Sequence, residues 1–511
     1  MAFSSIASAC IHGLHVEVIR AEADVSNGLP MFYMVGYLSS EVKEAAERVR
    51  TAIRNSGFVL PPKKIVVNLS PATLKKRGSS YDLPIALSVL EAVGELPQGE
   101  LANILVVGEL SLDGRVREVS GVLPIVLEAK EQGFHTCILP EENVREGCLV
   151  PGIRILGAET LGQICSFLNQ KEKEIKDEKY NEEIWRPIVE YGVDYSDICG
   201  QTMVKRAAEI AVAGGHNLLM IGPPGSGKTM IAKRIPTILP PMQMEESMEV
   251  TKIYSVSGLV DKEHPLITRR PFRSVHHTAT RAALIGGGVI PRPGEISLSH
   301  GGVLFLDELA EFRKSVLEVL RQPLEEHKIR LCRNSGCYEF PADFMLIAAM
   351  NPCPCGNYPD LNKCNCTKAQ IQNYLGHVSQ PFLDRMDLCV EASRIEYKDL
   401  CASGNEETST DIRERVCKAR NIQQERYKGT KIYTNSGIEV SQLEEYCRIG
   451  EKEEKLMKQA FSTLGLTART YHKVLKVART IADLDGKTQI ECSHLKEALG
   501  YRMMDKKYWG R

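Results

Sequence analysis

The stretch NLLMIGPPGSGKTMIAKRIP, residues 217–236, constrains this chain more than any other. An apolar run at 218–221 predicts a buried strand, and an amphipathic pattern after Thr229 predicts a helix. Between them lies Gly222-x4-Gly227-Lys228-Thr229. The glycines of Gly222, Pro223, Pro224, Gly225, Ser226 and Gly227 let backbone N–H groups curl around phosphate oxygens, and the helix N-terminus adds its dipole. Lys228 then reaches the β and γ phosphates, and Thr229 offers a hydroxyl to Mg²⁺. A strand that feeds a phosphate loop and then a helix belongs to an open α/β sheet with its ligand edge at the carboxyl ends of the strands.

Two further apolar runs end in chemistry. GGVLFLDELAEF closes a strand with Asp307 and Glu308. The first carboxylate suits Mg²⁺, held through water, and the second suits the orientation of an attacking water. An acidic pair opening a helix is the plain alternative. DFMLIAAMN ends in Asn351, whose amide at a strand terminus can touch both a γ-phosphate and water. Downstream, QPFLDRMDL sets Arg385 among acidic residues, either as a surface ion pair or as a cation inserted into a neighbour's site.

With 511 residues the chain is long enough for about three domains. Residues 1–168 alternate strand-like runs (HVEVIRAEAD, KKIVVNL, ILVVGEL, TCILP) with helical ones, as a mixed α/β domain does. Residues 169–194 read as a charged linker, 195–395 as a second α/β unit, 396–410 as a polar break, and 411–511 as helices only. The formal net charge is -1, so any polyanionic partner must meet a local patch. The N-terminus lacks a basic segment followed by a long apolar one, and no run of about 18 apolar residues is free of charge. The expectation is a soluble, cytoplasmic protein with no membrane partner. Its 16 cysteines form no small-domain framework and are expected to be reduced, metal-bound or simply core residues.

The phosphate loop, LFLDE, the strand-terminal Asn, LDRMD and a helical C-terminal region together resemble the AAA+ ATPases. Longer words narrow the likeness: DICGQTMVKRAAEIAVAGGHNLLMIGPPGSGKT, RPFRSVHHTATRAALIGGG, PRPGEISLSHGGVLFLDELAEF, MNPCPCG and LTARTYHKVLKVARTIADL are similar to those of the YifB/ComM family of Mg-chelatase-like AAA+ proteins. The resemblance implies ATP and Mg²⁺ as cofactors. It implies Ile198, Gly200 and Gln201 near the adenine, Asn351 as a sensor of the γ-phosphate, Arg385 as a finger acting across a hexameric ring, and Arg469 as a second sensor on a helical lid. It also implies work on DNA, in branch migration or a helicase-like step of recombination and transformation. The rival functions are a motor subunit for Mg²⁺ insertion into a porphyrin and a protein-remodelling or regulatory ATPase. Where family members commonly read RPFRAPHHT followed by Ser-Asp, this chain carries Ser274-Val275 and Ala279-Thr280-Arg281.

KRGSSYDLPIALSVL and VGELSLDGRVREVSGVLPIVLEAKEQG resemble the Lon protease domain, an α+β fold of the ribosomal S5 domain 2 type. Lon activates a serine with a lysine, because a hydroxyl is a weak nucleophile without a nearby base. Ser80 falls on the nucleophile position, but the lysine position falls on Leu123. The expectation is a Lon-like domain without peptidase chemistry, the alternative being a relocated base such as Lys130, with Ser79 and Ser80 otherwise a turn and helix cap.

Two features remain. Cys353, Cys355, Cys364 and Cys366 in NPCPCGNYPDLNKCNC can offer four thiolates to one tetrahedral Zn²⁺; free thiols and a reversible disulfide are the alternatives. Between Glu263 and Glu295 no acidic residue occurs, while Arg269, Arg270, Arg273, Arg281 and Arg292 do, with His276 and His277. This stretch is a candidate contact for a DNA backbone, or for a neighbouring subunit. A metal held by the paired histidines is disfavoured, since adjacent side chains in a strand diverge.

Overall fold

Five short apolar strands decide where the chemistry of this chain is placed. In the computed structural model, which describes residues 2–170, 175–178, 191–288, 291–333, 336–394 and 406–510, they form a wholly parallel sheet. Its order is Phe272–Val275, Val303–Leu306, Met345–Met350, Leu218–Ile221, Leu388–Glu391. The three central strands are buried along their whole length, as expected for runs with helices on both faces. Leu218, Met220, Phe305 and Ile347 point into one core, and Leu219, Ile221, Leu306 and Ala348 into the other. Register pairs Ile221 with Met350 and Leu306 with Ala348. The residues that follow these strand ends, Gly222, Asp307 and Asn351, therefore share one edge of the sheet.

The first of those cores is shared with the C-terminal helices. Helix Thr202–Gly214 packs between the sheet and helices Ser409–Arg426 and Ala468–Leu484, so that Ile412, Val416, Val474 and Ala478 lie in the same cluster as Leu218 and Met220. At its far side a buried carboxylate organises the helical region. Asp483 is fully buried and accepts from Arg426, from Arg479 at 2.9 Å and from Asn435 at 2.9 Å.

Residues 2–178 build an eight-stranded mixed sheet in the order Lys176–Glu178, Arg154–Ala158, Thr136–Pro140, Ile104–Val106, Ala2–His12, His15–Ser26, Lys64–Ser70, Met31–Val35. The four strand-like runs read from the sequence all contribute strands to this region. The strand Ala2–His12 was not read, because its small residues show no alternation: Ile6, Ala7, Ser8 and Ala9 are all buried, on both faces. The stretch expected to be a linker also needs correction. Ile175 is buried and Lys176–Glu178 pair antiparallel with Arg154–Ala158, because an edge strand uses its backbone for pairing whatever its side chains carry. Residues 179–190 and 395–405, most of the two expected linkers, lie outside the described residues. The last helical region begins with helix Ser409–Arg426, two residues earlier than expected.

The N-terminal region is seated on helix Met244–Ser257. Met244, Met248 and Leu266 join the apolar cluster of Val122, Leu123 and Val126. Inside this seam Glu146 is buried; it accepts from the Ser255 hydroxyl and from the Leu123 N–H at 2.9 Å, and burial pushes its carboxyl upward. Cysteine chemistry departs from expectation at one place: Cys332 and Cys337 face each other across the hairpin Lys328–Arg333/Gly336–Pro341 and are joined by a disulfide. Among the described residues no helix is long and apolar enough to cross a membrane.

Removing one partner of a buried ion pair leaves the other charge without compensation. Asp483→Ala should strand Arg479, itself buried, and lower stability by about 3–5 kcal/mol, read as a fall in the urea midpoint. Asp483→Asn, which keeps the hydrogen-bond shape, should fall between the two. A midpoint unchanged by Asp483→Ala would refute this account of the helical region.

Candidate nucleotide site

Lys228 opens helix Lys228–Ile238 and is almost fully buried, so its ammonium needs oxygens around it. It donates to the Gly222 and Pro223 carbonyls at 2.7 and 2.9 Å, to Ser226 Oγ at 3.3 Å and to Asn351 Oδ1 at 3.4 Å. Burial pushes this amine down to about 8, against the pull of Asp307. Gly222 has to be glycine: a Cβ there would lie 2.3 Å from the Ala392 carbonyl oxygen. Gly225 and Gly227 take left-handed conformations, turning the loop's N–H groups toward its mouth.

Thr229 Oγ1 donates to Asp307 Oδ2 at 2.7 Å, and the other Asp307 oxygen accepts from the Glu308 N–H at 2.9 Å. A hydroxyl and a carboxylate meeting beside the phosphate loop are hard oxygen donors of the kind Mg²⁺ takes, so these two residues fit the ion. Glu308 has a φ of 52°, which swings its side chain away from the strand line. Its Oε2 lies 3.1 Å from His277 Nδ1.

His276 and His277 were expected to diverge as strand neighbours. They instead follow the strand Phe272–Val275, and their rings lie close together, tilted by 36° with centroids 4.0 Å apart. His276, His277 and Glu308 thus converge, and the link to Glu308 was missed. The only signal in sequence was a histidine pair just past the end of an edge strand.

Of the residues expected near the adenine, Gln201 touches the phosphate loop. Ile198 is buried, Gly200 N–H donates to Glu406 Oε1 at 2.8 Å, and Gln201 donates its amide to the carbonyls of Ser226 at 3.1 Å and Ser393 at 2.6 Å. The two arginines stand apart from this constellation. Arg385 is buried against Glu325 and the Pro381 carbonyl, and it feels the repulsion of Arg469, which is exposed in the first turn of helix Ala468–Leu484.

The basic stretch does not form the continuous patch that its composition suggests. Arg270 is clamped by Glu246 and by the Pro240 and Gly301 carbonyls, and Arg273 pairs with Glu295 at 2.6 and 2.8 Å. Their guanidinium groups are engaged within the chain. Arg269 lies over the Tyr191 ring at 5.7 Å, and Arg281 is exposed at the start of helix Arg281–Ile285. In the N-terminal region Ser79 donates to Glu109, Leu123 is fully buried in the core, and Lys130 lies at the end of helix Val122–Glu131 beside Gly152.

Comparison with known proteins covers nearly the whole chain. Residues 194–400 match the family described as Magnesium chelatase, subunit ChlI; residues 21–143 match Subunit ChlI of Mg-chelatase; residues 406–502 match Magnesium chelatase, subunit ChlI C-terminal. The chain is 43% identical to Competence protein ComM of Haemophilus influenzae over 508 residues, 99% of this chain and 98% of that protein. It is 41% identical to Uncharacterized protein YifB of Escherichia coli over 510 residues, 99% of this chain and 98% of that protein. Over 127 residues, 24% of this chain and 22% of the relative, it is 28% identical to Lon protease 2 of Bacillus subtilis.

The lowered Lys228 amine sets a pH dependence. Phosphate needs the charged ammonium, which is present below pH of about 8; above it, binding must draw a proton onto Lys228. Affinity for a fluorescent ATP analogue should therefore fall by up to about tenfold per pH unit above that point, with proton uptake seen calorimetrically. Lys228→Arg, which stays charged, should remove the break. A profile flat to about pH 9.5 in the unaltered protein would sink the argument.

Proposed function

Because this chain belongs to the YifB/ComM family of Mg-chelatase-like AAA+ ATPases, we propose that it is an ATP-hydrolysing motor that forms a homohexameric ring and acts on branched DNA. The observation that carries the ATPase step is the convergence of Lys228, Thr229, Asp307, Glu308 and Asn351 on one sheet edge. Thr229 and Asp307 would hold Mg²⁺, which would supply charge neutralisation to the phosphates. Lys228 exchanges the carbonyls of Gly222 and Pro223 for phosphate oxygens. Glu308 orients the attacking water, and Asn351, already beside Lys228, reports on the γ-phosphate.

The ring reading rests on the finger role given to Arg385 and the second-sensor role given to Arg469. Arg385, now paired with Glu325, would leave it for the charge developing in a neighbour's site. The DNA reading rests on the relative named Competence protein ComM and on the exposed Arg281, together with Arg269. The N-terminal region acts as a Lon-like body without peptidase chemistry, supported by the Lon similarity and by Leu123 filling the lysine position. The protein works in the cytoplasm.

Glu308→Gln should keep nucleotide binding, stop turnover and hold the ring on four-way DNA in the presence of ATP, measured by native mass spectrometry and gel shift. Arg385→Ala should lose about 10³-fold or more in hydrolysis. Mixing it with Lys228→Ala subunits, which still carry the arginine, should restore part of that activity. The DNA reading falls if neither DNA binding nor DNA-stimulated hydrolysis is seen, and the ring reading falls if mixing restores nothing.

A further inference from the structure

Behind the phosphate loop lie four thiols that nucleotide chemistry does not use. Cys353 is fully buried and follows Asn351 by two residues; Cys355, Cys364 and Cys366 are half-buried, and all four are free. The Sγ atoms of Cys353, Cys355 and Cys364 are 3.4, 3.8 and 3.5 Å apart, and all four lie within 4.8 Å of one another. A tetrahedral ion with Zn–S bonds of about 2.3 Å sets its sulfurs about 3.8 Å apart. A cluster of several irons would hold its thiolates farther from one another.

The rest of the loop explains little of its own fold. Its aliphatic side chain, Leu361, is 81% exposed, while Cys353 is buried. A loop of this length without secondary structure needs anchors to hold one shape, and apolar burial supplies them at Pro352 and Tyr358 but not across the stretch 360–366. Backbone turns instead gather the thiols: Gly356 N–H donates to the Cys353 carbonyl at 2.9 Å and Cys364 N–H to that of Asp360 at 2.8 Å. Tyr358 N–H points at Cys353 Sγ from 3.4 Å, the outer-shell donation that a metal-bound thiolate accepts.

The loop also abuts the nucleotide site. Gly356 has a φ of 75°, and a Cβ on it would lie 2.4 Å from Pro224 Cδ. On its other side the Tyr358 ring meets Tyr508 edge-on at 6.1 Å, in the last helix Met503–Trp509. We infer that Cys353, Cys355, Cys364 and Cys366 bind one structural Zn²⁺, and that this centre fixes the loop on which the phosphate-binding segment at Pro224 rests. With all four positions taken by protein, the ion has no open site for catalysis. The inference does not depend on DNA as the substrate or on the ring.

The test uses the full chain purified without chelators. Elemental analysis should give about one zinc per chain, retained in Cys417→Ser and lost in the Cys364→Ser, Cys366→Ser double variant. Cobalt loading should give the intense sulfur-to-metal charge-transfer bands of a tetrahedral thiolate site, which need no enzyme activity to read. The double variant, checked for its overall fold by circular dichroism, should bind an ATP analogue on the order of tenfold more weakly. Gly356→Ala should keep its zinc and also bind the analogue more weakly. Four fully titratable thiols with no metal, or iron with inorganic sulfide, would overturn the zinc centre. Unchanged nucleotide binding in both variants would overturn its link to the phosphate loop.

Discussion

A lysine ammonium buried at a helix start can persist only if oxygens surround it, and in this chain nearly everything at the site is arranged by that demand. The Gly222 and Pro223 carbonyls, the Ser226 hydroxyl and the Asn351 amide oxygen all turn toward Lys228. To present them, strands Leu218–Ile221 and Met345–Met350 must run parallel and in register, with the third strand alongside to deliver Asp307 to Thr229. The apolar cores on the two faces of the sheet serve to hold that register. Misplacing any one strand by a residue would invert its side chains and move Asn351 or Asp307 off the shared edge.

The flanking regions are joined to the nucleotide-binding sheet by chemistry as well as by apolar contact. The N-terminal sheet is held by buried Glu146 across to Ser255, and the helical region shares one core with helix Thr202–Gly214 and carries its own buried ion cluster at Asp483. Buried carboxylates with complete partners tolerate little change of geometry, so both seams favour one docking arrangement over many.

Local signals were legible in sequence and distant partners were not. Lys228, Thr229, Asp307 and Asn351 each end or follow an apolar strand, and a parallel sheet necessarily aligns such ends, so their meeting could be read in advance. The pairings of Arg270 and Arg273 with Glu246 and Glu295, 24 and 22 residues away, lie beyond what a composition window joins to a particular side chain. The Cys332–Cys337 bond depends on hairpin register, and the strand Ala2–His12 hides its burial in small residues. The contact of His277 with Glu308 needed the φ of Glu308, which no pattern of residue types reveals.

One short segment has a mechanical meaning. Gln201 holds Ser226 on the phosphate loop and Ser393 beyond the last strand of the sheet, while the adjoining Gly200 is tied to Glu406 ahead of helix Ser409–Arg426. The two sides of the crossing from sheet to helices are therefore pinned at a single pair of residues that also grips the phosphate loop. Strain placed on that crossing therefore reaches the phosphate loop through one glutamine side chain.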